Sequence, residues 1–239
     1  MRILTVAGAK GGIAKTTTSI ALAAELAAQG QRVLLIDLDP QSSGTLAIGE
    51  LPAADPWRAP AVPVRLAPGV SLDLLRGGRP LAMAGSADVH EYLARVLRNA
   101  DVAVLDTPPF LGALTLAGLA AAGLVIVPID PAPMALPGIR DIAGAVAQLG
   151  RRSPRMRAAL VRVQSRRAVT ADIRAGLDES FPGVLYRSEV PEDVRVVEAP
   201  AYGMPITVYA PRSRAAEAYR QLAAEVAEDL FAGRQRAGA

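Results

Sequence analysis

Two lysines, a pair of glycines and three aspartates carry the chemistry available to this sequence. Gly8-Ala9-Lys10-Gly11-Gly12-Ile13-Ala14-Lys15-Thr16-Thr17 follows a short apolar run, Ile3 to Val6, and a helical pattern begins at Lys15. A buried strand, a glycine turn and a helix in that order form a phosphate cradle. Glycines let successive backbone N–H groups approach phosphate oxygens, and the helix adds the positive end of its dipole. Gly11, Gly12, Ile13, Ala14, Lys15, Thr16 and Thr17 are the expected nucleotide-binding residues; Lys15 would reach the β- and γ-phosphates and the Thr16 hydroxyl would ligate Mg²⁺. Gly8 opens the pattern G-x-x-x-x-G-K-[ST], but Ala14 stands where its second glycine belongs. The variant K-G-G-x-x-K-[ST] fits completely, with Lys10 as an extra lysine inside the loop.

The acids close two later strands. Arg32 to Ile36 ends in Asp37-Leu38-Asp39-Pro40-Gln41, and Asp101 to Leu105 ends in Asp106-Thr107-Pro108-Pro109. Carboxylates at the C-terminal end of parallel strands lie over the sheet edge where ligands bind. Asp37 and Asp106 are therefore expected at a Mg²⁺ site with Thr16. Asp-x-Asp-Pro is also good turn chemistry.

Composition supports the loop lysines independently. Of 26 basic residues only Lys10 and Lys15 are lysine. Arginine serves everywhere else, as expected if these two sites need a compact ammonium that fits where a planar guanidinium would not. There is no cysteine, which excludes disulfides, thiolate metal sites and iron–sulfur ligation. The single His90 reads as an ordinary surface residue, and a net charge of +3 permits nucleic-acid binding without arguing for it. At 239 residues one domain spanning 1–239 is the expectation. Met1-Arg2 leads directly into the first strand and no apolar run reaches membrane-spanning length, so a cytoplasmic protein is expected.

The loop resembles the deviant Walker A motif of the ParA/MinD family of ATPases. Asp-Leu-Asp-Pro-Gln at 37–41, Asp-Thr-Pro-Pro at 106–109 and the stretch from Glu198 through Arg214 to Tyr219 resemble the ParA branch, so the resemblance covers almost the whole chain. It implies a P-loop fold, Mg²⁺-dependent ATP hydrolysis that is slow without a partner, and ATP-dependent homodimerisation in which Lys10 reaches the partner's phosphates. Asp39 matches the position that places the attacking water. Asp106 matches the Walker B acid, and the segment through Phe110-Leu111-Gly112 resembles a switch. The resemblance further implies non-specific binding to double-stranded DNA, release by a ParB-type partner, nucleoid association in the ATP state and no membrane contact. Arg212 matches a position used for DNA; Arg187, Arg195 and Arg214 lie near it in sequence. Two departures stand against this: Pro182 occupies a usually basic position, and Glu192 replaces a usual arginine.

The elements needed to position these residues follow from periodicity. Thr16 to Gln29 reads as a helix stopped by Gly30, Val70 to Leu75 as a short strand, and Ala87 to Asn99 as a helix. Leu124 to Ile129 is a buried strand, Met134 to Leu149 a helix, Ala158 to Val163 a strand, Thr170 to Ser180 a helix, 184–186 a short strand, and Ser213 to Phe231 the last helix. Apolar strands alternating with helices give an α/β fold with a doubly wound, mostly parallel sheet flanked by helices. Residues 50–86 are rich in proline, and the family's helix after the Asp-Leu-Asp-Pro-Gln segment reads as reduced or absent. Trp57 there is either a partner anchor or a packed loop aromatic. Adenine is expected near 162–167 or 191–193. A MinD-like positioning ATPase would need an amphipathic tail after Phe231, where no bulky apolar residue stands. A cofactor-synthesis or metal-insertion ATPase is the other alternative, against which the two acidic motifs argue.

Overall fold

A computed structural model describes residues 1–97, 100–132, 135–164 and 168–232. Its frame is one seven-stranded sheet in the order β3-β4-β2-β5-β1-β6-β7. The strands are β1 (Arg2–Val6), β2 (Val33–Asp37), β3 (Val62–Ala67), β4 (Val70–Leu75), β5 (Val102–Asp106), β6 (Leu124–Ile129) and β7 (Arg155–Leu160). All neighbours pair in parallel except β3 with β4. Strands β2, β5 and β6 are buried along their whole length. Helices covering both faces of a parallel sheet produce such unbroken apolar runs.

The helices are α1 (Lys15–Ala28), α2 (Ser43–Ala47), α3 (Ser86–Val96), α4 (Ala113–Ala121), α5 (Ala135–Ala147), α6 (Ala168–Ser180), α7 (Val194–Glu198), α8 (Ile206–Tyr209) and α9 (Arg214–Phe231). On one face, Leu22 and Leu26 of α1 and Tyr219, Leu222 and Val226 of α9 pack over Leu4, Leu35, Val104 and Ile126. The alanines of α1 let it lie close to the sheet. On the other face α3 and α4 cover β2 and β5, while α5 and α6 cover β6 and β7. The Tyr219 hydroxyl meets Thr18 Oγ1 at 3.2 Å, pinning α9 to the first turn of α1.

The central pairing places the acids. β2 and β5 lie side by side in a register that sets Asp37 opposite Asp106. β1, on the other side of β5, ends at Val6 beside Asp106 and turns into the loop. Pro128 sits inside β6 without breaking it. Ile126 O accepts the Ala7 N–H, so the nitrogen of Pro128 faces the same side one step later, where β1 has already left the sheet.

Several expected elements differ from those found. Residues 50–86 hold an antiparallel hairpin rather than one strand: β3 carries Pro63 on the sheet edge, which edge strands tolerate, and Gly69 turns the chain at φ +76°. The strand expected at Ala158–Val163 is β7, beginning at Arg155 because it pairs from Leu124↔Arg155 onward. Residues 184–186 form no strand but a single bridge, Ala158↔Leu185. After the Asp-Leu-Asp-Pro-Gln segment the chain forms α2, a helix of five residues. Trp57 packs edge-on to Tyr92, ring centroids 5.3 Å apart. The expected starts and ends at Met134 and Asn99, the 165–167 part of the adenine expectation and the tail from 233 lie outside the described residues.

Candidate active site

The loop between β1 and α1 is shaped by three backbone positions. A Cβ on Gly8 would stand 2.4 Å from Ile13 Cδ1, so the Ile13 side chain lies directly over Gly8 and would have to swing aside for any larger residue. Gly12 is left-handed at φ +75°, and Ala14, the N-cap of α1, is left-handed at φ +58°. Ala14 thus holds the conformation that glycine would take there, at a cost of about 1–2 kcal/mol. Lys15 folds back inside the loop and donates from Nζ to the Lys10 carbonyl at 2.8 Å. Burial lowers its pKa, opposed by the charges of Asp106 and Asp39. Lys10 instead is exposed at the loop tip.

Behind the loop the expected metal residues converge. Thr16 Oγ1 donates to Asp106 Oδ2 at 2.8 Å, and Ser19, one turn on, donates to Asp106 Oδ1 at 2.9 Å. Asp37 accepts from Thr45 N–H and hydroxyl on Oδ2, both at 2.7 Å, and from the Asp39 N–H on Oδ1 at 3.0 Å. Burial pushes the pKa of both Asp37 and Asp106 well above the carboxylate range, and the charge of Asp37 raises Asp106 further. Asp39 is buried too; its oxygens accept the Gln41 N–H and the Ser43 hydroxyl, which aim the carboxylate. Two facing acids, a threonine hydroxyl and no soft ligand make a donor set suited to a hard divalent cation.

Sequence reasoning missed the residues that support these acids. Thr45 clamps Asp37 and in turn accepts the Gly77 N–H at 2.9 Å. A Cβ on Gly77 would stand 2.8 Å from Asp39 O and 2.9 Å from Asp37 Cγ, so the Gly-Gly pair after β4 was the available signal. Beside the loop, Pro109 approaches Gly11, placing the switch-like segment against the cradle. A cleft of about 660 Å³ opens on the other side, lined by Gly12, Ala14, Thr17, Arg162, Pro191 and Val197 among others.

Comparison with known proteins follows this geometry. Residues 4–206 match the CobQ/CobB/MinD/ParA nucleotide binding domain. The chain belongs to that family. Its relatives include the chromosome-partitioning ATPase Soj of Thermus thermophilus, 37% identical over 95% of each chain. The sporulation initiation inhibitor protein Soj of Bacillus subtilis is 32% identical, over 95% of this chain and 98% of that one. Among solved structures, cobyrinic acid a,c-diamide synthase from Mycobacterium smegmatis with a bound ATP analog and magnesium superposes with a TM-score of 0.78. It is 27% identical and covers 98% of this chain and 97% of that one.

The four arginines expected at DNA are less uniform than the loop. Arg195 is held in two-point contact by Asp193, at 2.8 Å on each side, and Arg187 is tied to Glu225 at 3.3 Å. Arg212 and Arg214 are exposed and make no ion pair among the described residues. Glu225 lies about 16 Å along α9 from Arg214, which sets Arg187 apart from the others. No helix among the described residues is long and apolar enough to cross a membrane.

Proposed function

We propose that this family member is an ATP-hydrolysing DNA-partitioning switch, a single P-loop ATPase unit that dimerises with ATP. The observation that carries the reading is the pairing of an inward Lys15 and an outward Lys10 in one loop, above Thr16, Asp106 and Asp39. Gly11 to Thr17 would hold the phosphates, and the cleft at Pro191–Asp193 would hold adenine, beside the loop rather than over the acids. Mg²⁺ would be held by Thr16 with Asp106 and Asp37 behind it, and when bound it offsets charge on the β- and γ-phosphates.

Hydrolysis then needs a placed water. Asp39 accepts a hydrogen bond from it and orients its oxygen in line with the γ-phosphorus; a bond forms from that oxygen to phosphorus as the bond to the β–γ bridging oxygen breaks, and a proton of the water passes to a γ-phosphate oxygen, leaving ADP and inorganic phosphate. Lys15 moves from the Lys10 carbonyl to the phosphates, where charge develops. Lys10, free at the tip, is available to a partner subunit's nucleotide, which links dimerisation to ATP. A lone subunit lacks that second cation and is expected to turn over slowly until a ParB-type protein acts.

DNA contact would come from Arg212 and Arg214, with Arg195 and Arg187 able to join only by leaving Asp193 and Glu225. Contacts of this kind go to phosphate and read no sequence. Sedimentation velocity with ATP, ADP or no nucleotide tests the switch. Dimers with ATP alone, lost in Lys10→Ala, are expected; a monomer under every nucleotide would overturn it.

A further inference from the structure

Among the described residues, the non-glycine residues at positive φ are Ala14, Ser42 and Arg162. Ala14 shapes the phosphate loop and Ser42 the turn after Asp39. Arg162 lies about 150 residues from the loop in sequence, yet it borders the same site. Its neighbours are pinned to different partners: Val161 N donates to Ile129 O at 2.9 Å and Val163 N to Val190 O at 3.0 Å. Arg162 spans the kink at φ +57°, a conformation that persists in a non-glycine residue only where its surroundings impose it.

The kink throws the guanidinium over the sheet edge. Arg162 Nη1 donates to Gly12 O at 3.2 Å and to Asp130 Oδ2 at 3.0 Å, while Nη2 lies 3.9 Å from Glu192 Oε1. Glu192 also accepts from Gln164, and its N–H donates to Val163 O at 3.1 Å. The next residue, Asp193, caps α7 and grips Arg195. Contacts therefore run unbroken from Gly12 in the loop through Arg162 and Glu192 to Asp193 and Arg195. Arg162 also lines both the 660 Å³ cleft and a smaller cavity of about 220 Å³ between the loop and α5.

We propose that Arg162 is a positioning residue that couples the phosphate loop to residues 190–198, so that phosphates in the loop are felt at the cleft lip and at Arg195. The inference rests on the nucleotide-binding reading above. Its donors sit on separate nitrogens of a planar fork, so Nη1 serves Gly12 O and Asp130 while Nη2 faces Glu192; a lysine has three donors but all on one atom, without that fixed spread. With its side chain 48% exposed, the guanidinium is free to re-pair. When phosphates reorganise the loop and Gly12 O moves, the guanidinium redistributes between Asp130 and Glu192, and the segment carrying Asp193 shifts with it.

Hydrogen exchange on the full chain tests this, with Mg²⁺ and inorganic tripolyphosphate as the probe, because a ligand without a base cannot touch the cleft lip directly. In wild type, exchange should slow at 8–17 and change by about tenfold at 190–198, the scale of one charge-assisted hydrogen bond. In Arg162→Lys and in the surface variant Glu192→Gln, protection at 8–17 should persist while the response at 190–198 disappears. The proposal is overturned if wild-type 190–198 does not respond, or if both variants respond like wild type. It is equally overturned if tripolyphosphate leaves the loop unprotected while MgATP protects it, because the coupling requires phosphates alone to move the loop. Absence of protection at 8–17 by MgATP in wild type would sink the nucleotide reading, and this proposal with it.

Discussion

Lys10 and Lys15 differ by five positions and by environment. Lys15 is buried and bonded inside the loop, so Lys15→Ala removes the charge that meets the phosphates; ATP affinity should fall about 100-fold, near 3 kcal/mol, by equilibrium binding of a fluorescent analogue. In the proposed mechanism Asp39 holds the water and not the phosphates, so Asp39→Ala should keep ATP affinity while phosphate release drops at least about 100-fold. Ala14 already holds the left-handed angle, and Ala14→Gly trades relief of that strain against a floppier unfolded chain. The two effects nearly cancel, so urea unfolding should shift by less than about 1 kcal/mol and turnover should stay within a few-fold. The facing acids set a pH dependence. Both have folded pKa values above the unfolded carboxylate's, so the native state binds more protons and stability falls as pH rises from 3.8 toward about 7. Asp106→Asn should flatten that slope in the metal-free protein, and added Mg²⁺ should restore stability at the upper end.

At the scale of elements, what was legible in the sequence is what buried parallel strands make legible. β2, β5 and β6 are buried along their whole length, and the phosphate-loop and acidic residues read from the sequence follow β1 or close β2 and β5. The edge was harder. β3 alternates buried and exposed residues around Pro63, and its pairing to β4 depends on contacts made in three dimensions. The same reason hid Thr45 and Gly77, which act only because β4 and α2 bring them to Asp37. Gly77→Ala therefore places a methyl against the Asp39 carbonyl and the Asp37 carboxylate, and should cost about 1–3 kcal/mol in chemical denaturation. The arginines expected at DNA were the least legible, since sequence proximity does not reveal that Arg187 and Arg195 already have carboxylate partners.

For the whole molecule, the sheet order puts the acids at its centre, the loop above them and residues 190–198 along the far lip of the 660 Å³ cleft. One run of contacts joins the loop at Gly12, through Arg162 and Glu192, to Asp193 and Arg195. The most direct test of the account is binding of a long, arbitrary double-stranded DNA at moderate salt with ATP, ADP or no nucleotide. Binding with ATP only, abolished by Lys10→Ala and weakened by Arg212→Ala, is the predicted result. ATP-dependent dimers that leave the DNA untouched would contradict the partitioning switch and leave a family ATPase acting on another cargo.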